Sequence, residues 1–267
     1  MTSVSARSLG FMTCAALLLA ACGDSGTGRV NLQLSTRSGT RIAASAMRPQ
    51  LSLTGAGQTT VTLGGDQIVL DQVELVLRKI KFEGVAAGAC DGESGTGVSG
   101  EAEECGEFRA GPELFDLPLG EGVVQTYTAT VPAGSYHEVQ FQIHRPTDEN
   151  GDAALLADHP DLEGVSIRVT GAYQKAGDPA PVPFTYTTDL TQVTNIELEQ
   201  PIDVGDGATL ALTLSVDVSG WFANAEGTGL VDPAQALNGQ PLESVVEQNI
   251  RSSFHAFQDE NGDGTED

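Results

Sequence analysis

The sequence predicts a mainly β chain, folded as an antiparallel β-sandwich with one C-terminal α-helix. Three observations carry that prediction. Ten or so short apolar runs alternate with polar residues at the period of a half-buried strand, spaced by turn formers. The chain holds 32 glycines and only 19 % charged residues, a composition of many turns and few long helices. One stretch alone, Leu242–Phe257, repeats its apolar residues at helical spacing. Strands without intervening helices bury their apolar faces against each other as a sandwich.

Val30–Leu34 (VNLQL) is the first strand, Ser35–Gln50 reads as irregular, and Thr59–Leu63 is a second short strand. Ile68–Phe82 is the most informative. Val73, Leu75 and Leu77 share one face, whereas Ile80 and Phe82 have the opposite parity. One extra residue at Arg78-Lys79, a β-bulge, accounts for the slip; two strands meeting at a bend is the alternative. Glu113–Leu117 and Val123–Val131 follow. Pro132-Ala133-Gly134 then reads as a tight turn into Ser135–His144, making a hairpin.

Thr147–Gly164 is a polar loop with one helical turn at Ala153–Ala157. Val165–Tyr173, Pro183–Thr188, Val193–Glu199 and Thr209–Val218 complete the strands. The last places Leu210, Leu212, Leu214, Val216 and Val218 on one face. In the helix, Leu242, Val246, Ile250, Phe254 and Phe257 form a stripe that must be buried. Pro241 suits the first helical position, Glu243 suits the N-terminal dipole, and Glu247/Arg251 is a well-oriented i,i+4 pair. Trp221-Phe222 are expected in the same apolar cluster.

Charge excludes one class of partner. With 13 Lys+Arg against 37 Asp+Glu the net charge is −24, which repels a phosphate backbone and rules out nucleic acid. Such a surface stays soluble and attracts cations. No P-loop, HExxH or CxxC occurs, and His137, His144, His159 and His255 form no ligand triplet by spacing. Among 37 acids, nothing in the spacing selects a glycosidase pair.

The N-terminal segment carries an address. Arg7 precedes an apolar run from Leu9 to Ala21 with no acid before Asp24. Thirteen helical residues rise about 20 Å, short of the ~30 Å hydrocarbon core, so the run reads as a secretory signal rather than a span. Leu19-Ala20-Ala21-Cys22 resembles the bacterial lipobox. That resemblance implies cleavage before Cys22, acylation (palmitate or a similar chain) of its sulfur and amine, and a membrane-held lipoprotein. By resemblance to enterobacterial sorting, Gly23 after the cysteine implies passage through the periplasm to the outer membrane. Gly23-Asp24-Ser25-Gly26 copies the surroundings of a trypsin-like nucleophile, but it lies in the tether with no domain before it to supply a base.

Cys14 leaves with the signal, so Cys90 and Cys105 remain as a pair flanking a Gly-rich acidic insert. In an oxidising compartment they are expected to form a disulfide, worth about 3 kcal/mol for a loop near 15 residues. The domain plan is signal 1–21, tether 22–29, sandwich 30–222, helical segment 223–258 and acidic tail 259–267.

Two segments repeat Asp-Glu-Asn-Gly-Asp, at 148–152 and 259–263. The second continues to D-x-N-x-D-G-x-x-D, with Asp259, Asn261, Asp263 and Asp267 at spacings that can wrap a Ca²⁺. It resembles the calcium repeats of thrombospondin type 3 and dockerin-like segments; a solvated acidic turn is the other reading. In the first copy Ala153 replaces the glycine and His159 takes the twelfth position. Trp221, the only tryptophan, is a candidate sugar platform or a core residue.

Several segments together resemble a family of uncharacterised bacterial lipoproteins with a β-sandwich domain of unknown function. They are VELVLRKIKFEG (73–84), VPAGSYHEVQFQIHRP (131–146), VSIRVTGAY (165–173), LSVDVSGWF (214–222), LVDP (230–233) and NIRSSFHAFQDENGDG (249–264). The PAG-x-Y segment also resembles immunoglobulin-like and transthyretin-like surface modules, an analogy of fold that does not fix function. The expected role is a non-enzymatic binding or structural module of the cell envelope, with an envelope protein or a glycan as partner. A carbohydrate- or ligand-binding module and a carboxylate-dependent hydrolase are the alternatives.

Overall fold

The computed structural model describes residues 26–36, 50–54, 57–86, 107–109, 111–119, 125–149 and 151–259. The signal segment, Cys22, Cys90, Cys105, Asn261, Asp263 and Asp267 lie outside the described residues.

Among the described residues the strands are, in chain order, β1 (Thr27–Thr36), β2 (Gln50–Thr54), β3 (Gln58–Leu63), β4 (Asp66–Ala86), β5 (Glu107–Arg109), β6 (Glu113–Asp116), β7 (Gln125–Pro132), β8 (Gly134–Ile143), β9 (Ile167–Gln174), β10 (Val182–Thr188), β11 (Gln192–Val204), β12 (Thr209–Val216) and β13 (Phe254–Gln258). Two α-helices join them, α1 (Ala153–Asp158) and α2 (Glu243–Arg251). The chain is mainly β, as its alternation predicts. Among the described residues, no helix is long and apolar enough to cross a membrane.

Two sheets face each other. The smaller has the order β13-β12-β1-β7, and its one parallel pair is β1 with β12. The larger has β10-β9-β4-β3-β2 along one path, with β8 joining β4 to β11 and with β5 and β6 also on β4. Its organiser is β4. Leu75 pairs with Phe115 of β6 on one edge and with Ile167 of β9 on the other. Farther along, β8 replaces β9 beside Leu77–Ala86.

The predicted bulge is there. Register against β8 shifts between Arg78 and Lys81, and Lys79 takes a left-handed φ of 52°. The extra residue lets Leu75, Leu77, Ile80 and Phe82 all bury despite their change of parity. At the start of β4, Gly64 and Gly65 have φ of 65° and 91°, the two positive values that a tight two-residue hairpin turn needs.

The core fills the space between the sheets. Val30, Leu32 and Leu34 of β1 and Leu212, Leu214 and Val216 of β12 face Val139, Phe141 and Ile143 of β8 and the apolar face of β4. Each such side chain contributes about 1.5–3 kcal/mol on burial. Ring pairs stitch the layers: Phe141 of β8 lies 5.1 Å from Phe254 of β13, and Phe115 of β6 lies 4.9 Å from Tyr127 of β7.

Three expectations need correction. Pro132-Ala133-Gly134 does not close a hairpin. β7 pairs with β1 in the smaller sheet, whereas β8 pairs with β4 and β11 in the larger, so the segment is a corner between layers. The Tyr136 hydroxyl donates back to the Pro132 carbonyl at 2.7 Å and fixes that corner. Secondly, the helix does not reach Phe257. It stops at Arg251, where the Ser252 and Ser253 hydroxyls donate to carbonyls of its last turn, and the chain turns into β13 along β12. Three residues apart on a strand, Phe254 and Phe257 point to opposite faces; both are buried, Phe254 between the sheets and Phe257 on the opposite face beside Thr213. Thirdly, the sandwich runs past both expected bounds: β1 begins at Thr27, inside the expected tether 22–29, and 223–258 ends in an edge strand of the smaller sheet.

Candidate functional site

Polar side chains that the fold buries fall into a few centres, and the first lies where β8 runs out. His144 extends the strand, its N–H donating to the Val76 carbonyl at 2.9 Å. The polar loop after it returns Asp152, the residue before α1, to the same place. Neither is a surface group: His144 is 3 % and Asp152 0 % exposed. His144 Nε2 lies 2.8 Å from Asp152 Oδ2, and the Thr147 N–H donates to the same oxygen at 2.9 Å. Asp152 Oδ1 is buried and accepts no hydrogen bond. Burial lowers the His144 pKa below its usual value, and Arg78 and Arg145 push the same way while Asp152 opposes them. The neutral ring, with its proton on Nε2, therefore donates to the carboxylate. Among the described residues no serine, threonine or cysteine bonds the imidazole, so the pair is a lock on the loop and not a nucleophile relay.

Asp148–Asp152, the first Asp-Glu-Asn-Gly-Asp copy, is thus no cation loop. Its last acid is turned inward to His144 while Asp148 and Glu149 stay in solvent.

The second centre is Arg168 of β9. Its Nε donates to Glu74 Oε2 at 2.5 Å and its Nη1 to Asp161. The bond to Glu74 raises the guanidinium pKa still further, and Arg168 in turn holds the Asp161 carboxyl below its ordinary value. This network ties β4, β9 and the loop before β9 together.

The third is a trio of carboxylates. Glu243 and Glu247, one turn apart on α2, meet Asp189 from the loop after β10, with their nearest oxygens within 4.8 Å of one another and all three partly exposed. Beneath them lies Tyr186 of β10, wholly buried, whose hydroxyl makes no hydrogen bond. Thr188 sits beside that hydroxyl without bonding geometry to it, and burial drives the phenol pKa upward.

The residues singled out in the sequence fare unequally. Trp221 is 0 % exposed, its indole N–H donating to Ser253 Oγ at 2.9 Å, so it presents no face to a sugar. It is a core residue. Asp259 is also wholly buried, accepting the Thr213 hydroxyl at 2.8 Å while its N–H donates to the Ala211 carbonyl. The first carboxylate of the second Asp-Glu-Asn-Gly-Asp copy thus belongs to the smaller sheet, and its companions Asn261, Asp263 and Asp267 fall outside the described residues. Cys22, Cys90 and Cys105 do too. The trio escaped sequence reading. The spacing of Glu243 and Glu247 was legible, but only the fold brings Asp189 to them.

Compared with protein-family models, curated proteins and solved structures, the chain matches none.

Proposed function

We infer that this chain is a lipid-anchored protein of the bacterial cell envelope, in which a β-sandwich serves as a non-enzymatic binding or structural module. The observation that carries the reading is the apolar run closing on Leu19-Ala20-Ala21-Cys22, followed by a Gly/Ser/Thr tether of the kind that spaces a domain from a membrane. The domain behind that tether supports a binding role. Its reactive-looking groups are spent on architecture: His144 on Asp152, Arg168 on Glu74 and Asp161, Trp221 on Ser253. Its net charge of −24 favours cationic partners and ions over nucleic acid. Cys90 and Cys105 close the acidic insert as a disulfide in that compartment. The outer membrane is the proposed address, by the Gly23 rule.

The test is metabolic labelling with radioactive palmitate in a bacterium expressing the chain. Label should enter the protein and partition with membranes, and Cys22→Ala should abolish both. A soluble, unlabelled wild-type protein sinks the reading.

A further inference from the structure

Each member of the Asp189, Glu243 and Glu247 trio is held from behind. Arg145 Nη1 donates to Asp189 Oδ2 at 3.0 Å, and the Gly239 N–H donates to Glu243 Oε2 at 2.7 Å. The Thr188 hydroxyl and Arg251 Nη2 donate to the two oxygens of Glu247, at 2.7 and 2.9 Å. Asp189 Oδ1 and Glu243 Oε1 take no hydrogen bond from a described residue. The carboxylates are thus oriented toward one another, against their mutual repulsion, with two arginines to offset three negative charges.

An observation independent of the acids points to the same place. The Tyr186 hydroxyl is wholly buried and bonds nothing. Tyr186 and Thr188 project from the same face of β10, and Thr188 reaches Glu247, so the phenol oxygen points up beneath the helix carboxylates. Buried hydroxyls almost always have a partner, so the layer beneath the carboxylates is left one hydrogen bond short.

We propose that Asp189, Glu243 and Glu247 form a Ca²⁺ site that clamps α2 onto the end of β10. The ligands are all hard oxygens with no nitrogen or sulfur, which disfavours zinc. Three convergent, partly exposed carboxylates suit calcium, which takes six to eight oxygens with flexible geometry; magnesium keeps most of its water and uses one or two carboxylates. This site is separate from the Asp259–Asp267 stretch and does not depend on the lipid anchor.

The experiment is thermal unfolding of the EDTA-stripped full chain, titrated with CaCl₂ or MgCl₂, for wild type, Asp189→Asn, Glu243→Gln and Asp263→Asn. At about 100 times the dissociation constant, calcium should raise the wild-type midpoint by roughly 5–10 °C, and magnesium at equal concentration by less. Asp263→Asn should keep the shift; Asp189→Asn and Glu243→Gln should lose it. Without calcium, Glu243→Gln should melt no lower than wild type, because it relieves repulsion, and this shows that the variant is folded. The proposal is overturned if wild type shows no calcium shift, if the shift persists undiminished in both trio variants, or if Asp263→Asn removes it. An equal response to magnesium overturns the choice of ion.

Discussion

Asp152 and the Asp189–Glu243–Glu247 trio set carboxylates in the same fold to opposite uses. Asp152 is sealed from solvent, and one of its oxygens takes both of its donors, His144 and the Thr147 amide. The trio is partly exposed, with donors behind and carboxylate oxygens in front. Depth decides the difference. A sealed carboxylate must find its partners inside the protein, since leaving it unpaired costs several kcal/mol, and once it has them it can only hold structure. A half-open cluster keeps access to water and can exchange water for an ion. The fold therefore closes the loop after β8 with a fixed lock and leaves the junction of β10 with α2 adjustable.

Breaking the lock should have the largest effect. Asp152→Ala removes the partner of a buried imidazole and of the Thr147 amide, and should lower stability by about 3 kcal/mol. Urea unfolding checks this; the midpoint should fall while the slope stays constant. Asp152→Asn, which keeps an acceptor for either donor, should lose less. If Asp152→Ala melts like wild type, the sealed pair does not secure the loop.

The lock also responds to acid. The folded-state pKa of His144 lies below its ordinary 6.5, mainly through burial. On acidification the unfolded chain therefore takes up a proton near that value before the folded one does, and the unfolded state gains. The contribution of the neutral ring is fully present above about pH 6.5 and is lost as pH falls below it. Unfolding midpoints between pH 8 and pH 5 should fall more steeply for wild type than for His144→Gln. Parallel curves would remove His144 as the titrating group.

The junction should yield more gently. Thr188→Val keeps the shape of a buried residue but removes the donor to Glu247 Oε1 and the acceptor for the Leu190 N–H, and should cost about 1 kcal/mol in the same urea series. A calcium-loaded sample should recover part of that loss, because the ion restrains Glu247 in place of the hydroxyl.

The contrast also separates what periodicity can and cannot reveal. Strands with one buried face announced themselves: β1 and β8 follow their alternation, and the parity slip at Arg78-Lys79 located the bulge in β4, whereas β12 buries Thr213 and Ser215 as well as Leu212, Leu214 and Val216. What failed was pairing. Nothing local distinguishes a corner from a hairpin at Pro132–Gly134, because which sheet receives β8 is set by β4, far away in sequence. The helical stripe ran on to Phe257 because spacings of four and three also fit a helix that breaks into a strand between Ile250 and Phe254. The sites obeyed the same rule. Glu247 and Arg251 were visible as an i,i+4 pair and bond at 2.9 Å. By contrast, Asp152 against His144 and Asp189 against α2 are meetings made by tertiary structure. Trp221 was expected in the apolar cluster, with an exposed sugar platform as the lesser reading, and its burial bears out the first.

The smallest effect on stability tests the open side of the comparison most finely. Arg145 and Asp189 are 46 % and 38 % exposed in their side chains, so their ion pair at 3.0 Å is worth at most about 1 kcal/mol to the fold. Arg145→Gln should therefore leave the calcium-free unfolding midpoint almost unchanged. It also removes a positive charge that competes with an incoming cation for Asp189. If the trio holds calcium, the variant should bind it a few-fold more tightly, roughly the tenfold-per-1.4 kcal/mol equivalent of the lost competition. Salt should shrink that gain, because an exposed pair is screened. The lock offers no such lever, since its acceptor is closed to ions. Calorimetric calcium titration of wild type and Arg145→Gln at low and physiological ionic strength reads both effects. A weaker affinity in the variant would mean that Arg145 positions Asp189 for the ion rather than competing with it.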